Sequence, residues 1–358
     1  MQQNSRPGYR LALVATLLAF VAVLLGVYTR LTHAGLGCPD WPGCYGFLSV
    51  PMSEGQQSLA AMRFPEAPVE VHKGWNEMVH RYFAGTLGLL ILGLAVQALR
   101  RRAEPGQPLK LPLCVLAVVI AQAAFGMWTV TLQLWPQVVT AHLLGGFTTL
   151  SLLFLLTLRL SERRPAMPRV SRGVRWLAAI GLLAVVVQVT LGGWVSSNYA
   201  AVACTDFPTC HGQWWPDMDF ANAFNLAQHD IGTNYLGGLL FGEARTAIHM
   251  THRLGALTVS LILLALSWQL WRNGLPRLAG LLVAALALQI GLGMGNVLLN
   301  LPLPVAVAHN GGGALLLLTN VLINHRLYLS RRQAVATRPM PVSQPNSNTM
   351  SGLELPRA

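Results

Sequence analysis

Residues 74–102 read GWNEMVHRYFAGTLGLLILGLAVQALRRR, and residues 246–272 read TAIHMTHRLGALTVSLILLALSWQLWR. Each segment sets a His-Arg pair, His80-Arg81 or His252-Arg253, at the head of an uncharged run (Tyr82–Leu99, Leu254–Trp271) that arginine closes. A bilayer-spanning helix needs about 20 mostly apolar residues, and both runs meet that length. Others follow the same pattern: Leu11–Tyr28, Leu111–Leu158 with a break near Pro136, Trp176–Val195, and Leu278–His325 with a break at Pro302 and Pro304. Eight spans are predicted. The chain of 358 residues is 53% hydrophobic and 11% charged, the balance of an all-α integral membrane protein.

The formal net charge is +12. A basic excess can mean nucleic acid, but its placement points elsewhere. Arg6 and Arg10, Arg100–Arg102 with Lys110, Arg159 to Arg175, Arg272 and Arg277, and Arg326 to Arg332 all fall on one side of the predicted spans. Loops rich in Lys and Arg stay on the cytoplasmic side. Both termini are therefore expected in the cytoplasm of a bacterial cell, the spans in its inner membrane, with the lipid bilayer as partner and no nucleic acid. The basic start and the small residues near Thr32 to Gly35 imitate a secretory signal peptide. Against that reading, the first span has a repeat partner in the fifth, which a cleaved segment would lack.

Of the five cysteines, Cys114 lies inside a span and reads as an inert small hydrophobe. Cys38 and Cys44 bound the segment CPDWPGC, and Cys204 and Cys210 bound CTDFPTC. Both segments fall in long outer loops, on the oxidising side where disulfides persist. A zinc site built from all four thiols is the alternative. The compartment favours two intraloop disulfides, Cys38–Cys44 and Cys204–Cys210.

The chain is one unit used twice. A shift of 166 residues lays Cys38 on Cys204 and Cys44 on Cys210. A shift of 167 lays Gln122-x-x-x-Gly126 on Gln289-x-x-x-Gly293, and His142-x-x-Gly145-Gly146 on His309-x-x-Gly312-Gly313. A shift of 172 pairs His80-Arg81 with His252-Arg253. Four spans per unit give both copies the same orientation, a parallel repeat about an axis along the membrane normal. The expected organisation is two tandem, parallel-oriented four-helix bundles, residues 1–165 and 166–332. A disordered cytoplasmic tail, 333–358, follows. Trp41, Trp214 and Trp215 in the outer loops suggest contact with the membrane interface.

Histidine inside a bilayer is costly and marks function. His80, His142, His252 and His309 all sit near the outer ends of even-numbered spans. Each half thus sets two imidazoles at one depth, the arrangement of a bis-histidine clamp on a haem iron. Arg81 and Arg253 are candidate partners for haem propionates, or else snorkel to headgroups. Glu77 lies one helical turn before His80 on the same face, where a carboxyl can relay a proton or stabilise a cationic intermediate. Its counterpart in the second half is His249, so the two sites differ chemically. His33, His72, His211 and His229 in the outer loops are expected to be mostly solvated.

These residues together resemble the haem A synthase family: Glu77-Met-Val-His80-Arg81, His142 with its glycines, His249-Met-Thr-His252-Arg253, His309 and the paired loop cysteines. The likeness runs from the first span to the eighth. It implies an oxidoreductase that converts the C8 methyl of haem O to a formyl group through a hydroxymethyl intermediate. A neighbouring haem O synthase would supply the substrate, and cytochrome oxidase would receive the product. By position it implies that His252 and His309 hold a resident haem B iron, that His80 and His142 form the substrate-haem site, and that Glu77 is the catalytic acid. It matches the loop cysteines to disulfides or electron carriers. His249 departs from the amide or other polar residue usual in the family, which opens the question of whether it competes with His252. A homo-oligomer is compatible with this reading. A di-haem b-type cytochrome for electron transfer or quinol oxidation is the alternative; it accounts for four histidines but not for Glu77 or the outer cysteines. A transporter would call for discontinuous spans with polar midplane residues, which the sequence lacks.

Overall fold

The computed structural model describes residues 6–161 and 168–336. Eight of its helices are long and apolar enough to cross a membrane: α1 (Tyr9–Leu31), α2 (Val71–Arg100), α3 (Lys110–Thr131), α4 (Pro136–Leu160), α5 (Arg172–Ser197), α6 (Gly242–Arg272), α7 (Pro276–Leu298) and α8 (Leu303–Ala336). The all-α, eight-span expectation holds. Among the described residues the only β pairing is two isolated bridges, Cys44 with Phe47 and Cys210 with Gln213. The last helix continues to Ala336, into the stretch expected to begin the tail; residues 337–358 of that stretch lie outside the described residues.

Local chemistry sets the helix limits. Pro136 and Pro276 open α4 and α7, where a fixed φ suits the first turn and no N–H is lost from the ladder. The turns before α4 and α8 are tight: Gln133 and Leu134 take φ of 50° and 63°, Asn300 and Leu301 of 57° and 58°. The helices α2 and α6 have 30 and 31 residues, about 45 Å at 1.5 Å per residue. Hydrocarbon accounts for about 30 Å. The surplus lies at the N-terminal end, so the first eight or so residues of α2 and α6 precede the apolar runs and include Glu77 and His249.

Within the first half α1 packs on α2 and α4, α2 on α3, and α3 on α4, closing a ring. Within the second, α5 packs on α6 and α8, α6 on α7, and α7 on α8. The halves meet through α4 on α5, α1 on α8 and α4 on α8. Small residues permit close approach where apolar solvent gives no hydrophobic drive: Ala12, Ala15, Ala19 and Ala22 form the buried face of α1. Polar pairs fasten it further. The hydroxyls of Thr16 and Thr157 lie 3.0 Å apart across α1 and α4, and the Asn324 amide donates to the Ala178 carbonyl at 3.0 Å across α8 and α5. Such bonds average about 0.6 kcal/mol each within a membrane. Large apolar side chains point outward instead, Leu17, Leu89, Ile120, Leu183 and Leu261 among them, as lipid contact requires.

The backbone repeats as the sequence does. His33 and Tyr199 both take φ near 55°, as do Tyr45 and His211, each pair 166 residues apart. Asp40 accepts from the N–H groups of Tyr45 and Gly46, and Asp206 accepts from those of His211 and Gly212. A bond from the Thr209 hydroxyl, and after it those from the Gly212 and His211 N–H groups, pull the Asp206 carboxyl down to about 2.

The loop between α5 and α6 crosses over the first half. Trp135 Nε1 donates to the His229 carbonyl at 3.0 Å, Gln137 Nε2 to the Leu226 carbonyl at 2.9 Å, and the Tyr235 N–H to the Gln133 carbonyl at 3.0 Å. His229 is therefore buried, against Trp194 and Tyr235. It is the exception to the expectation of solvated loop histidines; His33, His72 and His211 are exposed. Trp41, Trp214 and Trp215 are also exposed.

Candidate functional site

Each half sets its two histidines on helices that face each other across the ring rather than lying side by side: His80 on α2 with His142 on α4, and His252 on α6 with His309 on α8. His80 is the tenth residue of α2 and His142 the seventh of α4, His252 the eleventh of α6 and His309 the seventh of α8, so the two predicted histidines of each half enter one ring near the same end. Among the described residues no group of three His, Cys, Asp or Glu side chains converges as a metal cage. Two imidazoles alone hold a metal poorly, so an ion bound here must bring its remaining ligands with it, as a macrocycle does.

The surroundings fit such a group. Nδ1 of His80, His142 and His309 is buried without a hydrogen-bond partner. Every one of the four rings lies against a glycine of the preceding helix. A Cβ built on Gly26 would come within 2.9 Å of His80 Cε1, and one on Gly126 within 3.2 Å of His142 Cε1. The same holds for Gly192 against His252 at 3.2 Å and Gly293 against His309 at 3.1 Å. Glycine at those four places leaves the rings room to turn toward a ligand. Sequence reading passed over these glycines, although Gln122-x-x-x-Gly126 and Gln289-x-x-x-Gly293 had been aligned. The signal was their spacing, which recurs at Gln188-x-x-x-Gly192.

Glu77 is buried at 5% exposure and fully engaged. Oε2 accepts from the Cys38 N–H at 2.9 Å, and Oε1 forms an ion pair with Arg81. The other nitrogen of the Arg81 fork donates to the carbonyls of Asp40 at 2.9 Å, Pro42 at 3.3 Å and Gly43. One arginine therefore ties the catalytic candidate to the Cys38–Cys44 loop. Both predicted disulfides are present, Cys38–Cys44 and Cys204–Cys210, with S–S separations of 2.03 and 2.04 Å. With all four sulfurs bonded in pairs, they form no zinc site. Cys114 is free, and exposed on α3.

The second half keeps the arginine and drops the acid. Arg253 donates to the carbonyls of Thr209 at 2.8 Å, Asp206 at 2.9 Å and Cys204 at 3.4 Å, latching the matching loop. His249, at 5% exposure, turns Nδ1 to the Ala200 carbonyl at 3.0 Å. The inequality between the halves is real in three dimensions: one carboxylate, one imidazole, in equivalent seats.

Fold and site define a polytopic membrane protein that carries two repeat-related histidine pairs, each inside a ring of four spans. Sequence comparison makes this specific. The family model for cytochrome oxidase assembly proteins (COX15-CtaA) matches residues 9–321, and the chain belongs to that family. Its relatives named "Heme A synthase" include one from Shewanella oneidensis, 47% identical over 89% of this chain and 95% of the relative. Those from Mesorhizobium japonicum and Nitrosospira multiformis are each 29% identical, covering 83% and 89% of this chain and 84% and 92% of the relatives.

Proposed function

We propose that this protein is a haem A synthase of a bacterial inner membrane. It is an oxidoreductase that takes haem O, oxidises the C8 methyl to a formyl group and yields haem A for cytochrome oxidase. The observation that carries the reading is the acid found in one half only. Two histidine clamps serve an electron-transfer cytochrome equally well; a buried carboxylate beside one of them serves a reaction.

In this reading the first half, 1–165, takes the substrate between His80 and His142, and the second, 166–332, keeps a haem B between His252 and His309. Haem B supplies one-electron redox chemistry when bound. The protein's own contribution is positional and electrostatic. Oxidising a ring-conjugated methyl leaves positive charge on carbon, and Glu77, held rigid by Arg81 and Cys38, offers fixed negative charge and a proton acceptor. Two such oxidations, each taking up one water and passing two electrons to an external acceptor and two protons to solvent, lead through hydroxymethyl to a hydrated aldehyde that loses water. Arg253 has its Nε buried without a partner, a donor that a propionate would satisfy; Arg81 would have to share the donors it gives the loop carbonyls. Both termini lie in the cytoplasm and the cysteine loops on the periplasmic side, by the arginine distribution. A neighbouring haem O synthase is the natural source of substrate.

The test is to extract and separate the haems of the purified protein. Haem B together with haem O, haem A or the hydroxymethyl compound supports the synthase. Haem B alone, at two per chain, returns the di-haem cytochrome.

The role of the first disulfide is separable from catalysis. Cross-linking so short a loop contributes about 2 kcal/mol through closure entropy. Replacing Cys38 and Cys44 by serine is expected to lower the thermal midpoint while haem A still forms. Lost turnover at an unchanged midpoint would instead make the pair an electron carrier.

A further inference from the structure

Three of the four histidines share a second feature that the fourth lacks. On the helix before each, four residues ahead of the glycine touching the ring, stands Gln122, Gln188 or Gln289. Three residues after each histidine stands Gly145, Gly255 or Gly312. The two are partners, because a Cβ on any of these glycines would run into the facing glutamine side chain. In the second half the amides reach the rings: Gln188 Nε2 lies 3.0 Å from His252 Nδ1 and 2.9 Å from the His252 carbonyl, and Gln289 Nε2 lies 3.4 Å from His309 Nε2. An amide can turn either a donor or an acceptor toward an imidazole nitrogen, so Gln188 can fix His252 in its ligating tautomer.

At His80 both members are replaced. Ala22 stands where the glutamine would be, and Phe83 where the glycine would be. Alanine has no side-chain amide to offer, so position 22 meets the His80 ring with its backbone alone, while His80 Nδ1, like Nδ1 of His142 and His309, is buried without a partner. A glutamine could not simply be restored, because it needs the space that glycine at position 83 would provide. The two departures are coupled, and they fall on the ligand one turn from Glu77.

We propose that His80 is the releasable ligand of the pair, and that Gln188 is a positioning residue that makes its counterpart His252 permanent. The inference rests on the synthase reading and sharpens it. A half that must admit haem O and discharge haem A needs one clamp jaw that opens; a half that retains its cofactor needs neither to. Removing an outer-shell partner of a ligating histidine costs about 10–100-fold in affinity, and the natural absence at His80 sets the first half apart by a comparable factor.

The experiment follows haem loss from the purified, doubly loaded protein to excess apomyoglobin, with carbon monoxide binding to the reduced protein as a second readout. In the unaltered protein the substrate-type haem should leave about 10–100-fold faster than haem B and should be the one that takes carbon monoxide. The double variant Ala22→Gln with Phe83→Gly should slow its departure and suppress carbon monoxide binding. Gln188→Ala should speed haem B loss by a similar factor and leave the first half unchanged. Two unlike haems that depart at equal rates and bind carbon monoxide alike would overturn the inference while sparing the synthase reading, and this comparison needs no variant to fold. Haem B as the sole haem in both halves would overturn both.

Discussion

Glu77→Gln is expected to cut haem A formation by about 10²–10⁴-fold, the usual weight of a positioned acid or base, while the protein still carries haem B. The substitution changes little else. Glutamine has the same shape, and its Oε1 can still accept from the Cys38 N–H that now meets Glu77 at 2.9 Å. What disappears is the negative charge opposite Arg81 and the proton acceptor beside His80. Breaking one partner of a buried ion pair also leaves the other uncompensated, at about 3–5 kcal/mol where the burial is complete. Arg81 is cushioned against that loss by the carbonyls of Asp40, Pro42 and Gly43, so folding and haem B content should survive. Haem analysis then reads the result directly: haem O accumulates and haem B persists. Haem A at the unaltered level would remove Glu77 from the chemistry, whereas loss of both haems would mark it as structural.

His252→Ala is expected to empty the second half and leave the first loaded, so that haem per chain falls from two to one and haem B is the one missing. A metal held by two imidazoles has no substitute when one is withdrawn, unless His249 moves in. The structure argues against that rescue. His249 is buried, and its Nδ1 is already committed to the Ala200 carbonyl at 3.0 Å. His249→Ala should accordingly retain haem B. The reverse outcome, with haem B kept in His252→Ala and lost in His249→Ala, would exchange their assignments. Low-temperature electron paramagnetic resonance of the oxidised protein distinguishes the cases, since bis-histidine iron gives a low-spin signal.

Much of this was legible before the structure. Eight spans, the duplicated unit and the disulfide pairings follow from hydropathy, spacing and compartment, because each leaves a periodic or paired mark on the chain. The histidine pairs were legible for the same reason, polar residues in apolar runs being conspicuous. The seat of Glu77 was not. That Cys38 N–H and Arg81 grip its two oxygens depends on how the loop folds back over α2, and no spacing encodes it. The glycines facing the rings escaped notice because small residues are common in spans and ordinarily mean only close packing. Which of the loop histidines would be buried was not legible either: His229 is covered by Trp194 and Tyr235, the latter held by a bond from its backbone to Gln133 in the other half.

The contact between the halves has an approximate twofold symmetry that the two sequences break. Exchanging the halves maps α4 on α5 into α8 on α1, and α4 on α8 onto itself, as in an isologous interface between identical subunits. Two contacts join a residue to its own equivalent, 166 positions on. Arg30 donates to the Ser196 carbonyl at 2.6 Å, and the His33 ring stacks on Tyr199 at 5.5 Å between centroids. In a dimer of identical halves such positions would meet copies of themselves, and an arginine there would face an arginine. A single chain with two different halves is free of that constraint. Arg30 now lies 3.9 Å from the centre of the Tyr199 ring, a cation resting on an aromatic face. The same freedom admits a carboxylate at position 77 and an imidazole at the equivalent position 249.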